Sequence, residues 1–176
     1  HALGISIFHS VAAFNNSGFD ILGGLRNLTP YYNDLLLNLV TIALIIFGGI
    51  GFLVIMDVAK NKRFRKLSLH SKIVITTSAG LIVVGTLLLK ATEKITWLEA
   101  LFQSVSTRTA GFSTCAIGNF TNAGLFVRCI LMFIGASPGS TGGGIKTGTA
   151  FVILQELRSQ CTKKTVHAFH RSISRQ

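Results

Sequence analysis

The sequence FHSVAAFNNSGF occupies residues 8–19, and the related sequence FQSVSTRTAGF occupies residues 102–112. Both copies begin with Phe, one polar residue and Ser-Val, and both end in Gly-Phe, with a difference of one residue in the length between them. The repeat period is about 94 residues. Each motif lies in a short apolar stretch, and a long apolar segment follows it. An internal duplication of this kind predicts one structural module that the chain uses more than once.

The composition places the chain among membrane proteins. Of its 176 residues, 49% are hydrophobic and 13% are charged, and the mean hydropathy is +0.55, whereas about 25% of the residues of a soluble domain are charged. The formal net charge is +11, but the basic residues are concentrated at residues 60–72 and from Arg158 onward. No nucleic acid partner is expected, because a nucleic-acid-binding domain spreads its basic residues over one face. Both clusters adjoin long apolar runs, which is typical of cytoplasmic segments.

Three apolar segments are interpreted as membrane spans. Residues 35–56 contain no charged side chain, and these 22 residues, at about 1.5 Å each, cover a hydrocarbon core of about 30 Å. We predict a single spanning helix there. A second span is predicted at residues 73–89, and a third at residues 123–154, where the glycine-rich stretch 135–148 interrupts the helix.

Two other apolar stretches, residues 3–14 and 97–105, are too short to span and are predicted to be re-entrant half-helices on the outer side. A half-helix that ends near the membrane centre directs its C-terminal carbonyl groups, with roughly −0.5 of an elementary charge, toward a cation. A glycine turn that follows lets backbone carbonyls replace the hydration shell of the ion. The turns at residues 15–19 and 108–112, called turn 1 and turn 2 below, are therefore predicted to form two walls of a cation filter.

Three segments together resemble one known family: HSVAAFNNSGFD at residues 9–20, QSVSTRTAGFSTC at 103–115 and MFIGASPGSTGGGIKTGT at 132–149. They are similar to the second pore loop, the third pore loop and the broken inner helix of the Trk/Ktr/HKT superfamily of potassium transporters, with the membrane subunit of the Ktr system as the nearest match. The resemblance implies an all-α integral membrane fold built from repeats of helix, re-entrant pore loop and helix. In that family, four filter segments surround one pore axis.

The resemblance also implies which residues hold potassium and how the chain is divided. Filter backbone carbonyls would bind the ion at the glycines Gly18 and Gly111 and at the neighbouring residues Asn16, Ser17, Thr109 and Ala110. The chain would be a fragment of the family's full subunit, without the first and fourth repeats. Its expected segments are the second pore loop and inner helix (1–57), a basic cytoplasmic loop (58–72), the third repeat (73–158) and a basic cytoplasmic tail (159–176).

The glycine-rich stretch at residues 135–148, called the gate loop below, would be an intramembrane loop that obstructs the pore and moves to open it. The residues expected to act in this gate are Gly135, Gly139, Gly142, Gly143, Gly144 and Lys146. Lys146 either repels permeant cations or extends to the cytoplasmic surface, and the sequence leaves both interpretations open. The stretch is not interpreted as a phosphate-binding loop, because Ile145 separates the last glycine of the run from the lysine.

Three further side chains have predicted roles near the turns. Arg108 is interpreted as a residue that pins a loop by hydrogen bonds and does not touch ions. His9 is interpreted as a packing or capping residue, since Gln103 replaces it in the second copy. Asp20 is a candidate for raising the cation concentration at the pore mouth, although the second copy has Ser113 there.

The predicted function is potassium uptake through a carbonyl-lined filter gated by the gate loop. The alternative is a solute transporter or sodium-coupled secondary transporter that binds its substrate at the broken helix. No enzymatic activity is expected, because the spans carry no catalytic dyad or ligand cluster. No bound cofactor is expected either; potassium would be the permeant ion and sodium a candidate coupling ion.

The resemblance further implies a multi-pass protein of the plasma membrane that forms a homodimer. In the family, the membrane subunits sit on a cytosolic ring of nucleotide-binding regulatory subunits. The basic residues at 60–72 and from Arg158 onward are available to bind that ring or anionic lipid headgroups, and the sequence does not separate the two partners.

Overall fold

A computed structural model describes residues 2–23, 26–162, 167–168 and 171–172. The α-helices in these ranges are α1 (Ala2–Phe14), α2 (Leu35–Ile50), α3 (Phe52–Lys60), α4 (Leu69–Thr92), α5 (Trp97–Thr109), α6 (Asn122–Phe133) and α7 (Thr147–Thr162). Short 3-10 helices lie at Thr29–Tyr31, Phe64–Lys66 and Ile117–Asn119. A two-residue antiparallel pair joins β1 (His167–Ala168) to β2 (Arg171–Ser172). The prediction of a helical fold is confirmed. Of the predicted basic tail, Lys163, Lys164 and Arg175 lie outside the described residues.

Side-chain caps set the start of several helices. Helix α5 begins with a capping box, in which the Thr96 hydroxyl accepts from the Glu99 amide at 3.2 Å and the Glu99 carboxylate accepts from the Thr96 amide at 2.8 Å. Helices α2, α4 and α6 begin with a single side-chain cap, in which Asp34, Ser68 and Thr121 respectively accept from a backbone amide of the first turn. Each cap supplies an acceptor for an amide that has no partner within its helix, so the boundaries of these helices are encoded locally.

Residues 35–56 do not form the single spanning helix that their composition predicted. Helix α2 ends at Ile50, helix α3 starts at Phe52, and the two are bent by 95°. Gly51 between them has φ 89° and ψ 145°, and a Cβ atom there would lie 2.8 Å from the carbonyl oxygen of Pro138. The prediction was wrong because an uncharged run of the right length does not reveal a break that depends on one left-handed glycine.

Helix α4 is longer than predicted and is the clearest candidate span. It covers 24 residues, which extends the predicted segment 73–89 at both ends and corresponds to about 36 Å. Judged by length and composition, the described residues contain one helix that could cross a membrane, or two if the bent α2–α3 pair counts as one span. The predicted interruption of the third segment is confirmed, since α6 ends at Phe133 and α7 begins at Thr147.

The main core forms where α1, α2 and α5 meet. Its members are all buried: Ala12, Ala13, Leu28, Ile42, Ile45, Phe102, Val105, Ala110 and Phe112. A second cluster joins α4, α5 and α6 through Leu89, Ala100 and Leu131. Large apolar side chains remain exposed on the outer sides of the helices, for example Leu36 (75%), Phe126 (68%) and Phe133 (67%). The core therefore fixes both half-helices against helix α2, and the exposed apolar surface is typical of a chain embedded in lipid or in a larger assembly.

Candidate ion pathway at the paired Gly-Phe turns

The two predicted half-helices have the same length and lead into turns of the same hand. Helices α1 and α5 both contain 13 residues. Each is followed by a glycine with positive φ, 68° at Gly18 and 83° at Gly111. Asn16 in turn 1 also has a positive φ of 52°, a conformation that asparagine tolerates better than most residues. The sequence repeat therefore corresponds to a repeated backbone unit of short helix and left-handed glycine turn.

Turn 1 and turn 2 lie backbone against backbone. A Cβ atom at Gly18 would lie 2.2 Å from the carbonyl oxygen of Ala110 and 3.4 Å from the Cα atom of Gly111. A Cβ atom at Gly111 would lie 3.9 Å from the Cα atom of Gly18. The Thr109 hydroxyl also donates to the Asn16 side-chain oxygen at 2.9 Å. The six residues predicted to form the filter are thus brought together at one place, although they come from chain segments about 93 residues apart.

The backbone carbonyl groups of these six residues have no hydrogen-bond donor among the described residues. No backbone or side-chain hydrogen bond in that part of the chain ends on the carbonyl oxygen of Asn16, Ser17, Gly18, Thr109, Ala110 or Gly111. Asn16 and Ala110 are buried, Gly18 and Thr109 are half-buried, and Ser17 and Gly111 are exposed, so the site is open to an ion from one side. Carbonyls that are left unpaired at the ends of two half-helices are the type of ligand that binds a dehydrated monovalent cation.

Buried hydrogen bonds stabilise the conformation of turn 2. The Ser106 hydroxyl donates to the carbonyl oxygen of Phe112 at 2.5 Å, and the Gly111 amide donates to the carbonyl oxygen of Ser106 at 3.0 Å. Gln103, which is fully buried, donates to the Ser113 hydroxyl at 2.8 Å and accepts from the Arg128 guanidinium at 3.1 Å. These contacts fix the turn without using the carbonyl groups of Thr109, Ala110 or Gly111.

The role of Arg128 was not predicted from the sequence. This arginine lies on helix α6, which is otherwise apolar apart from its first residue, and it is 9% exposed. Its side chain packs over the Phe120 ring at 5.0 Å in addition to its bond with Gln103. A charged residue within an apolar helix of a membrane protein usually marks a functional or structural site. That signal was present in the sequence NAGLFVRCILMF and could have identified it.

His9 and Asp20 both make structural contacts near turn 1. The Nε2 atom of His9 lies 2.9 Å from the Thr41 hydroxyl, and its ring meets the Phe112 ring edge-on at 5.0 Å. These contacts agree with the prediction that His9 is a packing residue. The Asp20 carboxylate accepts from the amides of Leu22 (2.8 Å) and Asn27 (3.0 Å). Asp20 therefore shapes the loop after turn 1, and its effect on the local cation concentration stays a prediction.

The gate loop folds back on itself after helix α6. The Gly135 amide donates to the carbonyl oxygen of Ile145 at 3.0 Å, and the Ala136 amide donates to that of Gly143 at 3.1 Å. A Cβ atom at Gly135 would lie 1.9 Å from the Gly143 carbonyl oxygen and 2.7 Å from the Cα atom of Gly144. The loop is thus a compact structure in which two backbone segments touch, and glycine is required at the contact.

The gate loop docks on the broken end of helix α2. The amides of Thr141 and Ser137 donate to the carbonyl oxygens of Gly48 (3.2 Å) and Gly49 (3.1 Å), and the Ser137 hydroxyl donates to that of Ile50. The last carbonyls of a helix have no partner within it. The bend at Gly51 exposes these acceptors, and the gate loop supplies the missing donors. The helix break and the loop, which belong to different repeats, therefore form one interface.

The gate loop also contacts both turns. The Thr141 hydroxyl donates to the carbonyl oxygen of Phe14 at 3.0 Å and accepts from the Asn16 side-chain amide at 2.8 Å. A Cβ atom at Gly142 would lie 2.7 Å from the Thr109 methyl group. The Arg108 guanidinium donates to the carbonyl oxygen of Gly135 at 3.0 Å, which agrees with its interpretation as a residue that pins a loop. The loop is thus placed directly against the filter residues.

Lys146 makes a hydrogen bond within the gate loop, and both of its predicted roles stay predictions. Its ammonium group donates to the carbonyl oxygen of Gly142 at 2.7 Å, and the side chain is half-buried. It therefore closes the gate loop internally. Of the other predicted gate residues, Gly139 and Gly144 have positive φ (72° and 77°), while Gly143 has open space beside its Cα atom. Within the described residues, no group of three or more His, Cys, Asp or Glu side chains could hold a metal ion.

Comparison with known proteins identifies the class of protein to which this helical fold with paired turns belongs. The family described as TrkH, cation transport protein, matches the chain twice, at residues 2–74 and 72–176, so the chain belongs to the TrkH family. The predicted resemblance is confirmed. The two matches divide the chain near the basic segment between its two repeats.

Individual relatives give the same result. The chain is 39% identical over 180 residues to the potassium/sodium uptake protein NtpJ of Enterococcus hirae and 38% identical over 186 residues to the Ktr system potassium uptake protein B of Vibrio alginolyticus. Each match covers 96% of this chain and 40% of the relative. The crystal structure of the potassium transporter TrkH from Vibrio parahaemolyticus superposes with a TM-score of 0.70 at 25% identity and covers 96% of this chain and 39% of that protein. The chain thus spans about two fifths of the length of these relatives.

Proposed function

We propose that this chain forms part of a pathway that carries potassium into the cell, with turn 1 and turn 2 as two walls of its selectivity filter. The observation that carries the proposal is the direct contact of the turns at Gly18 and Gly111, where six backbone carbonyls have no donor among the described residues. Carbonyls in such a position replace the hydration shell of a monovalent cation without any acidic side chain. Potassium is the proposed permeant ion, and sodium is retained as a candidate coupling ion.

The half-helices α1 and α5 support this proposal electrostatically. Both end within a few residues of the glycine turns, so the negative ends of their dipoles lie near the proposed ion position. Two dipoles of roughly −0.5 elementary charge each attract a monovalent cation and still let it leave. The relatives named above are potassium or potassium/sodium uptake proteins by name, which fits the same ion class.

The gate loop is proposed to control passage. It contacts both turns and docks on helix α2, so a cation that leaves the turns on that side would meet it. Opening would break the bonds of the loop to the α2 carbonyls and to the filter residues. Glycines at the loop's own contacts make such a rearrangement feasible, because they allow backbone conformations that other residues resist.

A secondary transporter is the second candidate, and the bent helices favour it. The 95° break between α2 and α3 and the interruption between α6 and α7 are typical of transporters that bind solutes at discontinuous helices. In that case uptake would depend on a sodium or proton gradient, whereas a filter passes potassium down its own gradient. The unpaired carbonyls favour the filter, because the neighbouring charged side chains of Arg108 and Asp20 already bond the backbone of the gate loop and of the loop after turn 1.

The proposed setting is the plasma membrane, with lipid around the exposed apolar helices. A homodimer and a cytosolic ring of nucleotide-binding regulatory subunits are the proposed protein partners. The names of the Ktr relatives describe a system, which fits a membrane subunit that acts with other components. The basic segment at residues 60–72 is the proposed contact with the ring or with anionic headgroups.

Growth complementation tests the proposed function. The complete gene product that carries this sequence should restore growth of potassium-uptake-deficient cells at low external potassium, because the pathway supplies the missing influx. Growth rate is measured against external potassium, with an empty vector as the control. If growth stays at the level of the vector while the protein is present in the membrane, the proposed function is wrong.

A further inference from the structure

We infer that the Asn16 side chain couples the gate loop to the filter turns and is a positioning residue for ion binding; this inference rests on the proposed function. Asn16 is 8% exposed, and both ends of its amide are occupied. Its nitrogen donates to the Thr141 hydroxyl of the gate loop at 2.8 Å, and its oxygen accepts from the Thr109 hydroxyl beside turn 2 at 2.9 Å. One side chain from turn 1 therefore joins three segments that are remote in sequence.

The hydrogen-bond directions explain why an amide is needed at this position. The Thr141 hydroxyl already donates its hydrogen to the carbonyl oxygen of Phe14 at 3.0 Å, so it accepts from Asn16. The Thr109 hydroxyl donates to Asn16. The linking group must accordingly donate at one end and accept at the other, which a carboxylate cannot do. It must also tolerate φ of 52°, which asparagine does and a β-branched residue does not.

The other contacts between the loop and the filter region do not make this link. Arg108 and the Thr109 methyl group touch the gate loop from helix α5 and turn 2 alone. Ser137 bonds the carbonyl oxygens of Gly49 and Ile50 in helix α2 and, among the described residues, no atom of either turn. Asn16 belongs to turn 1, whose carbonyls are proposed ligands, and its side chain forms hydrogen bonds with both turn 2 and the gate loop.

A linkage of this kind has a thermodynamic consequence. When the gate loop leaves its position, the buried Asn16 nitrogen loses the Thr141 hydroxyl at 2.8 Å and keeps only the longer bond to the carbonyl oxygen of Phe14 at 3.5 Å. A rotation of the amide that improves this remaining bond disturbs the bond to Thr109 and hence the spacing of the two turns. Loop position and the affinity of the filter for the ion then change together, and the coupling is the same in both directions.

Uptake kinetics test this coupling in the complete gene product. Initial rates of rubidium uptake give KM and maximal rate for the wild type, Asn16→Gly, Thr141→Val, Thr141→Ser and the double variant Asn16→Gly/Thr141→Val, each normalised to the amount of protein in the membrane. Glycine at position 16 keeps the positive φ and adds no charge. Valine at position 141 keeps the shape of threonine and removes its hydroxyl.

We expect both Asn16→Gly and Thr141→Val to change the KM by at least about fivefold, the lower end of typical coupling between sites. Their effects in the double variant should be less than the product of the two, because they remove the same link. Thr141→Ser should restore the wild-type KM. Ser6→Ala is the matched control: it removes a hydroxyl of helix α1 that donates to the carbonyl oxygen of Ala2, outside the loop and both turns, and should leave the KM unchanged.

Two outcomes would overturn the inference. If Asn16 only supports the fold, its variants lower the amount of protein or the maximal rate and leave the KM unchanged. If the changes in KM multiply in the double variant, the two side chains act independently. A wild-type protein that carries no rubidium would overturn the proposed function together with this inference.

Discussion

Replacing Gly18 by alanine should reduce potassium uptake by at least about tenfold, because the added methyl group has no place in the paired turns. The Cβ atom would lie 2.2 Å from the carbonyl oxygen of Ala110, which is backbone and one of the proposed ligands. The residue would also have to adopt φ of 68°, which alanine resists. Either the turns separate or the peptide of Ala110 rotates, and both changes remove carbonyls from the ion position.

Gly111→Ala should have a smaller effect than Gly18→Ala. The added Cβ atom would lie 3.9 Å from its nearest neighbour, the Cα atom of Gly18. Only the φ of 83° is therefore unfavourable for alanine. We expect this variant to retain uptake with a reduced preference for potassium over sodium. Rates of rubidium uptake, alone and in competition with sodium, distinguish the two variants.

Gly4→Ala is the matched control for both filter variants. Gly4 lies on helix α1, where a Cβ atom would meet nothing within 4 Å. Uptake by this variant should equal that of the wild type. Wild-type rates for Gly18→Ala, at equal amounts of protein in the membrane, would show that the turns do not line the ion pathway.

Replacing Gly135 by alanine is expected to raise the basal rate of uptake severalfold. A Cβ atom at this position would lie 1.9 Å from the Gly143 carbonyl oxygen, so the compact form of the gate loop cannot form. The bonds that dock the loop beside the turns depend on this form, and their loss shifts the population toward conformations that leave the pathway open. The effect is measured as rubidium uptake or efflux under conditions in which the wild type is slow.

Gly143→Ala provides the control within the same loop. A Cβ atom at Gly143 would meet nothing within 4 Å, and its φ is not in the left-handed region. This variant should keep the basal rate of the wild type. Equal rates for Gly135→Ala and Gly143→Ala, with both proteins present in the membrane, would contradict the role of the loop as a gate.

The paired half-helices were predictable because their evidence is local. Turn 1 and turn 2 repeat the same motif at the same position after a short apolar stretch, and α1 and α5 have the same length in the structure. Helix caps such as Thr96 and Glu99 are likewise local signals. The interruption of the third apolar segment was predictable from its glycines. The ion-binding role of the turns remains a prediction.

The break of helix α2 was missed although its signal was in the sequence. The residues Gly48, Gly49 and Gly51 lie within the uncharged run, but glycine is frequent in membrane-spanning helices and does not by itself predict a break. The need for glycine there is tertiary. A Cβ atom at Gly48 would meet the carbonyl oxygen of Phe14 at 1.9 Å, and one at Gly51 would meet that of Pro138. Neither neighbour is visible without the fold.

The link between Asn16 and the gate loop could not have been predicted from the sequence alone. Asn16 and Thr141 are 125 positions apart, and both are common turn residues with many local hydrogen-bonding options. The role of Lys146 depends in the same way on the fold, because its ammonium group bonds a carbonyl of its own loop. Hydrogen-bond partners that are far apart in sequence are set by tertiary packing. The sequence repeat predicts only the general arrangement of the two modules.

Rubidium flux into lipid vesicles tests the central claim most directly. The purified complete gene product is reconstituted, and rubidium influx is driven by an outward potassium gradient with no sodium or proton gradient present. The filter at turn 1 and turn 2 predicts influx that external potassium inhibits strongly and sodium weakly, and that Gly18→Ala abolishes. Influx that begins only when a sodium or proton gradient is imposed, and that Gly18→Ala leaves unchanged, would contradict it and favour the secondary transporter.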